Sequence, residues 1–238
     1  MTAAPSPSPL AGAIVVAAGA GVRMGAGLPK ALMPVAGRPL LAWSVEALAR
    51  SGRVGPIVVT APPDGVEAMT VALAAEGLAP RVVPGGATRS DSVREGLAAL
   101  PPDAPVVLVH DAARPLLTAE LVGAVLDGVS GADGAIAAEP LADTLKRAEG
   151  DVVVGTVARE GLWRAQTPQA FDAAVFRRAV EAAAAAGALG AFTDCAGIVE
   201  AAGGRVRVVA SPGPNPKLTT PADVAPVEAL LGSAGPAC

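Results

Sequence analysis

Short apolar runs of strand length alternate along this chain with longer segments of helical length, and that alternation restricts the fold more than any other feature. Strands are expected at Ala13–Ala18, Pro56–Thr60, Arg81–Val83, Val106–His110, Gly134–Ala138 and Val206–Ala210, where brief stretches rich in Val, Ile, Leu or Ala fit buried strands. Helices are expected at Leu40–Arg50, Asp64–Glu76, Thr88–Leu100, Thr118–Val129, Asp172–Ala186, Asp194–Ala202 and Pro221–Leu230. Alternation of this kind gives an α/β domain with a mainly parallel sheet, because parallel neighbours need a crossover that a helix supplies. Thr118 is placed to cap one helix, and Thr220-Pro221 joins a cap to a proline at the first helical position. One segment breaks the pattern. Asp143–Arg147 and Val152–Thr156 flank Ala148–Asp151 and read as a hairpin, which alone in water is marginal and has to pack on something.

The expected organisation is one domain over 12–232, with the hairpin arm at about 140–158 and tails at 1–11 and 233–238. Apolar residues make up 52% of the chain but aromatics only 2%, so Ala, Val and Leu must build the core. The net charge of −4 argues against general nucleic-acid binding, which needs a basic face. Any anion site is therefore local. Two cysteines without framework spacing, Cys195 and Cys238, favour a reducing compartment. Met1–Pro9 has neither the basic residue nor the apolar core of a signal peptide. No apolar run of about 18 residues is free of Gly, Pro and charge, so no membrane span is expected. A cytoplasmic location follows as the expectation.

Directly after the first strand runs Ala17-Ala18-Gly19-Ala20-Gly21-Val22-Arg23-Met24-Gly25, continuing to Pro29-Lys30. Closely spaced glycines let the backbone approach a ligand where a Cβ would clash, and the N–H groups of such a turn make a concave anion site. Arg23 and Lys30 add two positive charges, which suits a polyphosphate. An ordinary strand-to-helix turn with solvated charges fits the glycines alone equally well. A dinucleotide fingerprint fails, since the third glycine position holds Met24, and a P-loop fails, since Ala31 follows Lys30.

Further clusters follow other expected strands or open helices, where ligands of open α/β sheets bind. Gly85-Gly86-Ala87-Thr88-Arg89-Ser90-Asp91-Ser92 opens a helix, and Arg89 or Asp91 there fits a purely structural role. Val109-His110-Asp111-Ala112-Ala113-Arg114-Pro115 closes the fourth strand. As the single histidine, His110 excludes histidine metal clusters, and in that position it reads as a core residue. Asp111, a carboxylate at a strand's carboxyl end beside a triphosphate site, suits Mg²⁺. Thr193-Asp194 at a helix start and Asn215-Pro216-Lys217 after the last strand read singly as a helix cap and a solvated lysine, and together offer a second, smaller anion site.

Ala17 to Leu41, with Pro29-Lys30-x-Leu-x-Pro-Val-x-Gly-x-Pro-Leu-Leu in register, resembles the signature loop of nucleotidyltransferases that join a phosphorylated small molecule to a nucleotide. His110-Asp111-Ala112-Ala113-Arg114-Pro115 is similar to one branch, the 2-C-methyl-D-erythritol 4-phosphate cytidylyltransferases. The resemblance spans roughly Ala13 to Val224. It implies a Rossmann-like three-layer α/β nucleotidyltransferase fold, CTP and a polyol phosphate as substrates, Mg²⁺ at Asp111, and a homodimer formed through the arm. It implies that Ala17, Ala18, Gly19, Ala20, Gly21, Gly86, Ala87, Ser92 and Ala112 surround the nucleotide. It further implies that Arg114, Thr144, Arg159, Thr167, Thr193 and Lys217 serve the second substrate, with Arg23, Lys30, Asp111 and Lys217 carrying catalysis. Two positions depart from the pattern: Cys195 stands where an acid is usual, and Pro216 replaces an apolar residue before Lys217.

The nucleophile in such a reaction is a phosphate oxygen ionised at neutral pH, so no general base is required. Position and electrostatics are the expected sources of rate. Ribitol 5-phosphate, sugar phosphates and a molybdopterin are rival acceptors, ribitol phosphate being the nearest. A non-catalytic nucleotide-binding module is the rival outside enzymes, and a nicotinamide dehydrogenase a third reading that the glycine spacing disfavours.

Overall fold

A computed structural model describes residues 10–19 and 29–233. The chain runs β1 (Ala11–Val16), β2 (Pro34–Val35), β3 (Arg38–Pro39), α1 (Leu40–Arg50), β4 (Val54–Ala61), α2 (Val66–Ala75), β5 (Arg81–Pro84), α3 (Arg89–Ala99), β6 (Val106–Asp111) and α4 (Ala119–Gly128). It continues through β7 (Gly134–Pro140), β8 (Leu145–Glu149), β9 (Val152–Val157), β10 (Trp163–Asp172), α5 (Ala173–Ala185), α6 (Cys195–Ala201), β11 (Val206–Ala210) and α7 (Val224–Ser233). Seven strands form the main sheet in the order β11-β7-β10-β6-β1-β4-β5. Every pairing in it is parallel except those of β10, which runs antiparallel to both β6 and β7.

The inner parallel strands β1, β6 and β7 are short and apolar because both faces of the sheet are covered there. Alternation along each strand sends neighbours to opposite layers. Ala13, Val15, Leu108, Ala135, Ala137 and Ala170 meet Leu41, Leu48, Met69 and Val122 on one face. Ile14, Val107, Val109, Ile136 and Phe171 meet Val93, Phe176, Val180 and Ile198 on the other. The result is three layers, helices α1, α2 and α4 on one side and α3, α5 and α6 on the other. Phe171 and Phe176 stack with ring centroids 4.6 Å apart, so two of the few aromatics fill one spot in the core.

All six strands expected from the alternation are present, with β1 beginning and ending two residues earlier than expected. The seven helices also occur, the last entered through a 3-10 turn at Pro221–Asp223. A strand at Trp163–Asp172 was not expected. Its Gln, Thr and Pro168 hide the strand pattern, since proline within a run argues against a central strand. The pairing of β10 with β7 shifts register between Ala165 and Gln169, and Pro168 lies within that break, where no ladder donor is needed. Two small hairpins stand outside the sheet. In β2–β3 the turn residues Ala36 and Gly37 both have positive φ, 48° and 78°, the geometry of a two-residue hairpin. Among the described residues strands β8 and β9 pair only with each other, and Val152, Val153 and Val154 are exposed.

Candidate active site

The carboxyl ends of β1 and β6 open into a cavity of about 510 Å³ lined by Val16–Gly19, Lys30, Ala31, Gly86–Arg89, Ser92, Asp111–Ala113, Lys217 and Thr219, with Leu40 at its floor. Neighbouring strands β4 and β6 depart from β1 on opposite sides, and the gap above such a branch point is where ligands bind in open α/β sheets.

The loop after β5 is drawn tight over this cavity. Thr88 caps α3 by accepting from the Asp91 N–H, and the Asp91 carboxylate accepts from the Thr88 N–H in return. This reciprocal pair satisfies two helix-end donors at once. A Cβ on Gly86 would lie 2.3 Å from Asp91 Cβ, and one on Gly85 2.6 Å from Ala18 Cβ. Glycine is therefore obligatory at both places. Ser92 Oγ accepts from the Gly86 N–H at 3.2 Å and donates to the Thr88 carbonyl at 2.9 Å.

Asp111 is the acidic side chain of the cavity wall, faced by Lys30, Arg89 and Lys217. Arg89 donates to Asp111 Oδ1 through Nε at 3.1 Å and through a terminal nitrogen at 2.9 Å, while Lys217 donates to Oδ2 at 2.7 Å. Burial alone would raise the Asp111 pKa, but Arg89 and Lys217 outweigh it and hold the carboxyl well below the usual range. Burial likewise opposes the charge on Arg89, and the Asp111 carboxylate offsets it, while the Cys195 sulfur lies 3.4 Å from a terminal nitrogen of the guanidinium. The Cys195 thiol is itself pushed up by burial. It is neutral at neutral pH, so Asp111 supplies the anion that Arg89 faces.

Lys217 is carried by a loop anchored on both sides. Leu218 is fully buried against Val35, Leu40 and Val227, and its N–H donates to the Ala113 carbonyl at 2.9 Å. Lys30 Nζ donates to the Leu218 carbonyl. Asp223 accepts from the N–H groups of Thr219 and Thr220 at 2.7 and 2.8 Å. Those two donors bring its pKa down to about 2.

A family model described as 2-C-methyl-D-erythritol 4-phosphate cytidylyltransferase matches residues 11–233. A protein of that name from Frankia casuarinae is 48% identical over 237 residues, spanning 98% of this chain and 85% of that protein. The chain belongs to the 2-C-methyl-D-erythritol 4-phosphate cytidylyltransferase family. Another member, from Saccharopolyspora erythraea, is 48% identical over 92% of this chain and 98% of its own length. The crystal structure of the Thermus thermophilus cytidylyltransferase superposes with a TM-score of 0.78 at 35% identity, covering 93% of this chain and 98% of that one. The 4-diphosphocytidyl-2C-methyl-D-erythritol synthase of Anaerococcus prevotii does so with a TM-score of 0.79 at 29% identity, over 94% and 99%.

Within this cytidylyltransferase fold, Ala17, Ala18, Gly19, Lys30, Gly86, Ala87, Ser92, Asp111, Ala112 and Lys217 come together on the cavity wall. Ala20, Gly21 and Arg23 lie outside the described residues. Arg114 does not line the cavity. Its buried guanidinium donates to the Asn215 carbonyl at 2.5 Å, and burial lowers its pKa. Thr144, Arg159 and Thr193 are exposed and do not line the cavity, and Arg159 donates to the Ala142 carbonyl at the base of the hairpin. Thr167 is buried behind Asp111, whose N–H donates to its Oγ1 at 3.0 Å. Sequence reasoning missed the part Arg89 plays. The signal was available: a carboxylate at a buried strand end needs a cation, and Arg89 is the cation of the adjoining glycine loop. Among the described residues no group of three or more His, Cys, Asp or Glu is placed to hold a metal, and no helix is long and apolar enough to cross a membrane.

Proposed function

We propose that this chain transfers the cytidylyl group of CTP to 2-C-methyl-D-erythritol 4-phosphate, releasing pyrophosphate. The observation that carries the reading is the cavity at the ends of β1 and β6, where among the described residues three basic side chains and one acid line the wall with Gly86 in a chain of this family. A phosphate oxygen of the acceptor attacks the α-phosphorus, and the bond to the departing pyrophosphate breaks. Such transfers depend on holding two polyanions in line and stabilising equatorial charge. Lys30 is assigned to the α-phosphate, Arg23 to the β- and γ-phosphates, and the backbone of residues 17–21 with Ala112 to the nucleotide. Gly86, Ala87 and Ser92 are assigned to the cytosine. Lys217 is assigned to the polyol phosphate of this cavity, and Thr144 and Arg159, which are exposed at the hairpin and outside this chain's own cavity, to that substrate across the proposed dimer.

Asp111 fits a divalent cation of the Mg²⁺ type. It is ionised, and Lys217 occupies only one lone pair of Oδ2. Mg²⁺ commonly takes one or two carboxylates and completes its shell with substrate phosphates and water. Bound there, the ion would neutralise triphosphate charge.

The same proposal has the chain working as a cytoplasmic homodimer. The exposed valines of β9 support a partner across the hairpin, since two strands alone are marginal in water. The buried free thiol of Cys195 suits a reducing compartment.

The test is pyrophosphate release from CTP with methylerythritol phosphate and ribitol 5-phosphate offered separately. Turnover with the first and little with the second is expected. Preference for ribitol phosphate would replace the acceptor, and CTP binding without release from either would make the chain a binding module.

A further inference from the structure

Behind the cavity wall lies a buried hydrogen-bond relay that no part of the proposed reaction uses. Thr167 sits in the register break of β10 and points at the end of β6. Its Oγ1 accepts the Asp111 N–H at 3.0 Å and lies 3.1 Å from His110 Nδ1. His110 Nε2 lies 3.1 Å from the Arg114 carbonyl. Neither side chain touches solvent to any useful extent, His110 being 0% and Thr167 4% exposed.

The protons of this relay can be assigned from its partners. A carbonyl oxygen only accepts, so Nε2 carries the imidazole proton. The ring has no exposure to solvent, and burial disfavours its charged form, so Nδ1 is the acceptor and the Thr167 hydroxyl donates to it. That leaves a hydroxyl lone pair for the Asp111 N–H. The chain of donors closes in one direction, with every group matched.

Thr167 is also held from its other side. Asn215 Nδ2 donates to the Thr167 carbonyl at 2.8 Å and to Gln166 Oε1 at 3.1 Å. The Asn215 carbonyl in turn accepts from Arg114, and Lys217 lies two residues further on. One residue therefore joins the Asp111 strand end, the Arg114 turn and the Lys217 loop.

We infer that Thr167 and His110 are positioning residues, which fix Asp111 and the Lys217 loop relative to each other without touching either substrate. This departs from what the family resemblance implies for Thr167. Its hydroxyl has its proton and one lone pair committed, and it is absent from the cavity lining. In its kinetic consequences the inference rests on the proposed cytidylyl transfer, but the relay itself is measurable without turnover.

Thr167→Val removes the hydroxyl at nearly constant shape, and Thr167→Ser keeps it. Misplacement of a catalytic group by a fraction of an ångström to one ångström is costly, so Thr167→Val should lose roughly tenfold or more in kcat. Thr167→Ser should recover to within about threefold of the parent. A rise in KM for the polyol phosphate alone, with kcat intact, would make Thr167 a substrate contact and overturn the inference. Two readouts stand apart from the reaction. Because the chain has a single histidine, nitrogen NMR of the unaltered protein reads its ring without ambiguity. The Nε2-protonated neutral form is expected at neutral pH, and an Nδ1-protonated ring would refute the relay even if Thr167→Val did not fold. The Asp111 amide should exchange slowly in the parent and in Thr167→Ser, and about tenfold faster in Thr167→Val. Equal exchange in all three would also refute it. Failure of both acceptors to release pyrophosphate would instead count against the proposed function alone.

Discussion

Asp111 has two cationic partners at almost equal distance, yet they should differ sharply in what they contribute. Arg89 and Asp111 are 23% and 10% exposed in their side chains, whereas Lys217 is 39% exposed. Breaking a well-buried pair costs about 3–5 kcal/mol because the remaining charge is stranded. An exposed pair is worth about 0.2–1 kcal/mol. The Arg89 pair is not fully dry, so about 2–3 kcal/mol is the appropriate figure. The neutral Cys195 thiol beside Arg89 offers no substitute anion. Two double-mutant cycles measure this in urea at neutral pH. Asp111→Asn with Arg89→Met should give a coupling energy of about 2–3 kcal/mol, and Asp111→Asn with Lys217→Met about 1 kcal/mol or less, with unchanged denaturant slopes. Equal couplings, or an Asp111→Asn protein as stable as the parent, would refute the division of labour between the two cations.

Other expectations are quickly put to measurement. Lys30→Ala should lose about 10²–10³ in turnover, the usual cost of deleting one preorganised donor, with an unfolding midpoint close to the parent's; near-normal turnover would remove Lys30 from the chemistry. Burial lowers the His110 pKa from 6.5 to about 4, so the unfolded chain takes up a proton at a higher pH than the folded one. Stability present above pH 6.5 is then lost as pH falls toward 4, by about 2 kcal/mol at pH 5, and a flat urea midpoint between pH 7 and pH 5 would contradict this. Val153→Lys, placed on an exposed β9 position, should convert the proposed dimer to monomer in sedimentation without loss of folding; an unchanged mass would move the interface elsewhere.

Much of the fold was legible because burial on both sheet faces imposes continuous apolar runs, and caps such as Thr118 and Thr220 mark helix starts locally. The nucleotide side of the site was legible for a related reason. Gly85 and Gly86 are forced by close approach to Ala18 and Asp91, and such needs are visible as residue identity. What stayed hidden depends on contacts far apart in sequence. Arg89 meets Asp111 across 22 residues, a pairing that only the need of a buried carboxylate for a cation hints at, and Asn215 meets Thr167 across 48 with nothing local to announce it. Strand β10 was obscured because Gln166, Thr167 and Gln169 hydrogen-bond to distant partners, so polar side chains occupy a central strand.

The position of β10 also bears on how a ribosome can deliver this protein. By the time residue 140 has emerged, β6 and β7 both exist, yet the sheet order leaves a one-strand gap between them. Only residues 163–172 can close it. Until they arrive, the nascent chain carries two long apolar edges with unsatisfied ladder groups, which invite pairing with other chains. Synthesis that pauses within the β8–β9 hairpin would prolong that exposure.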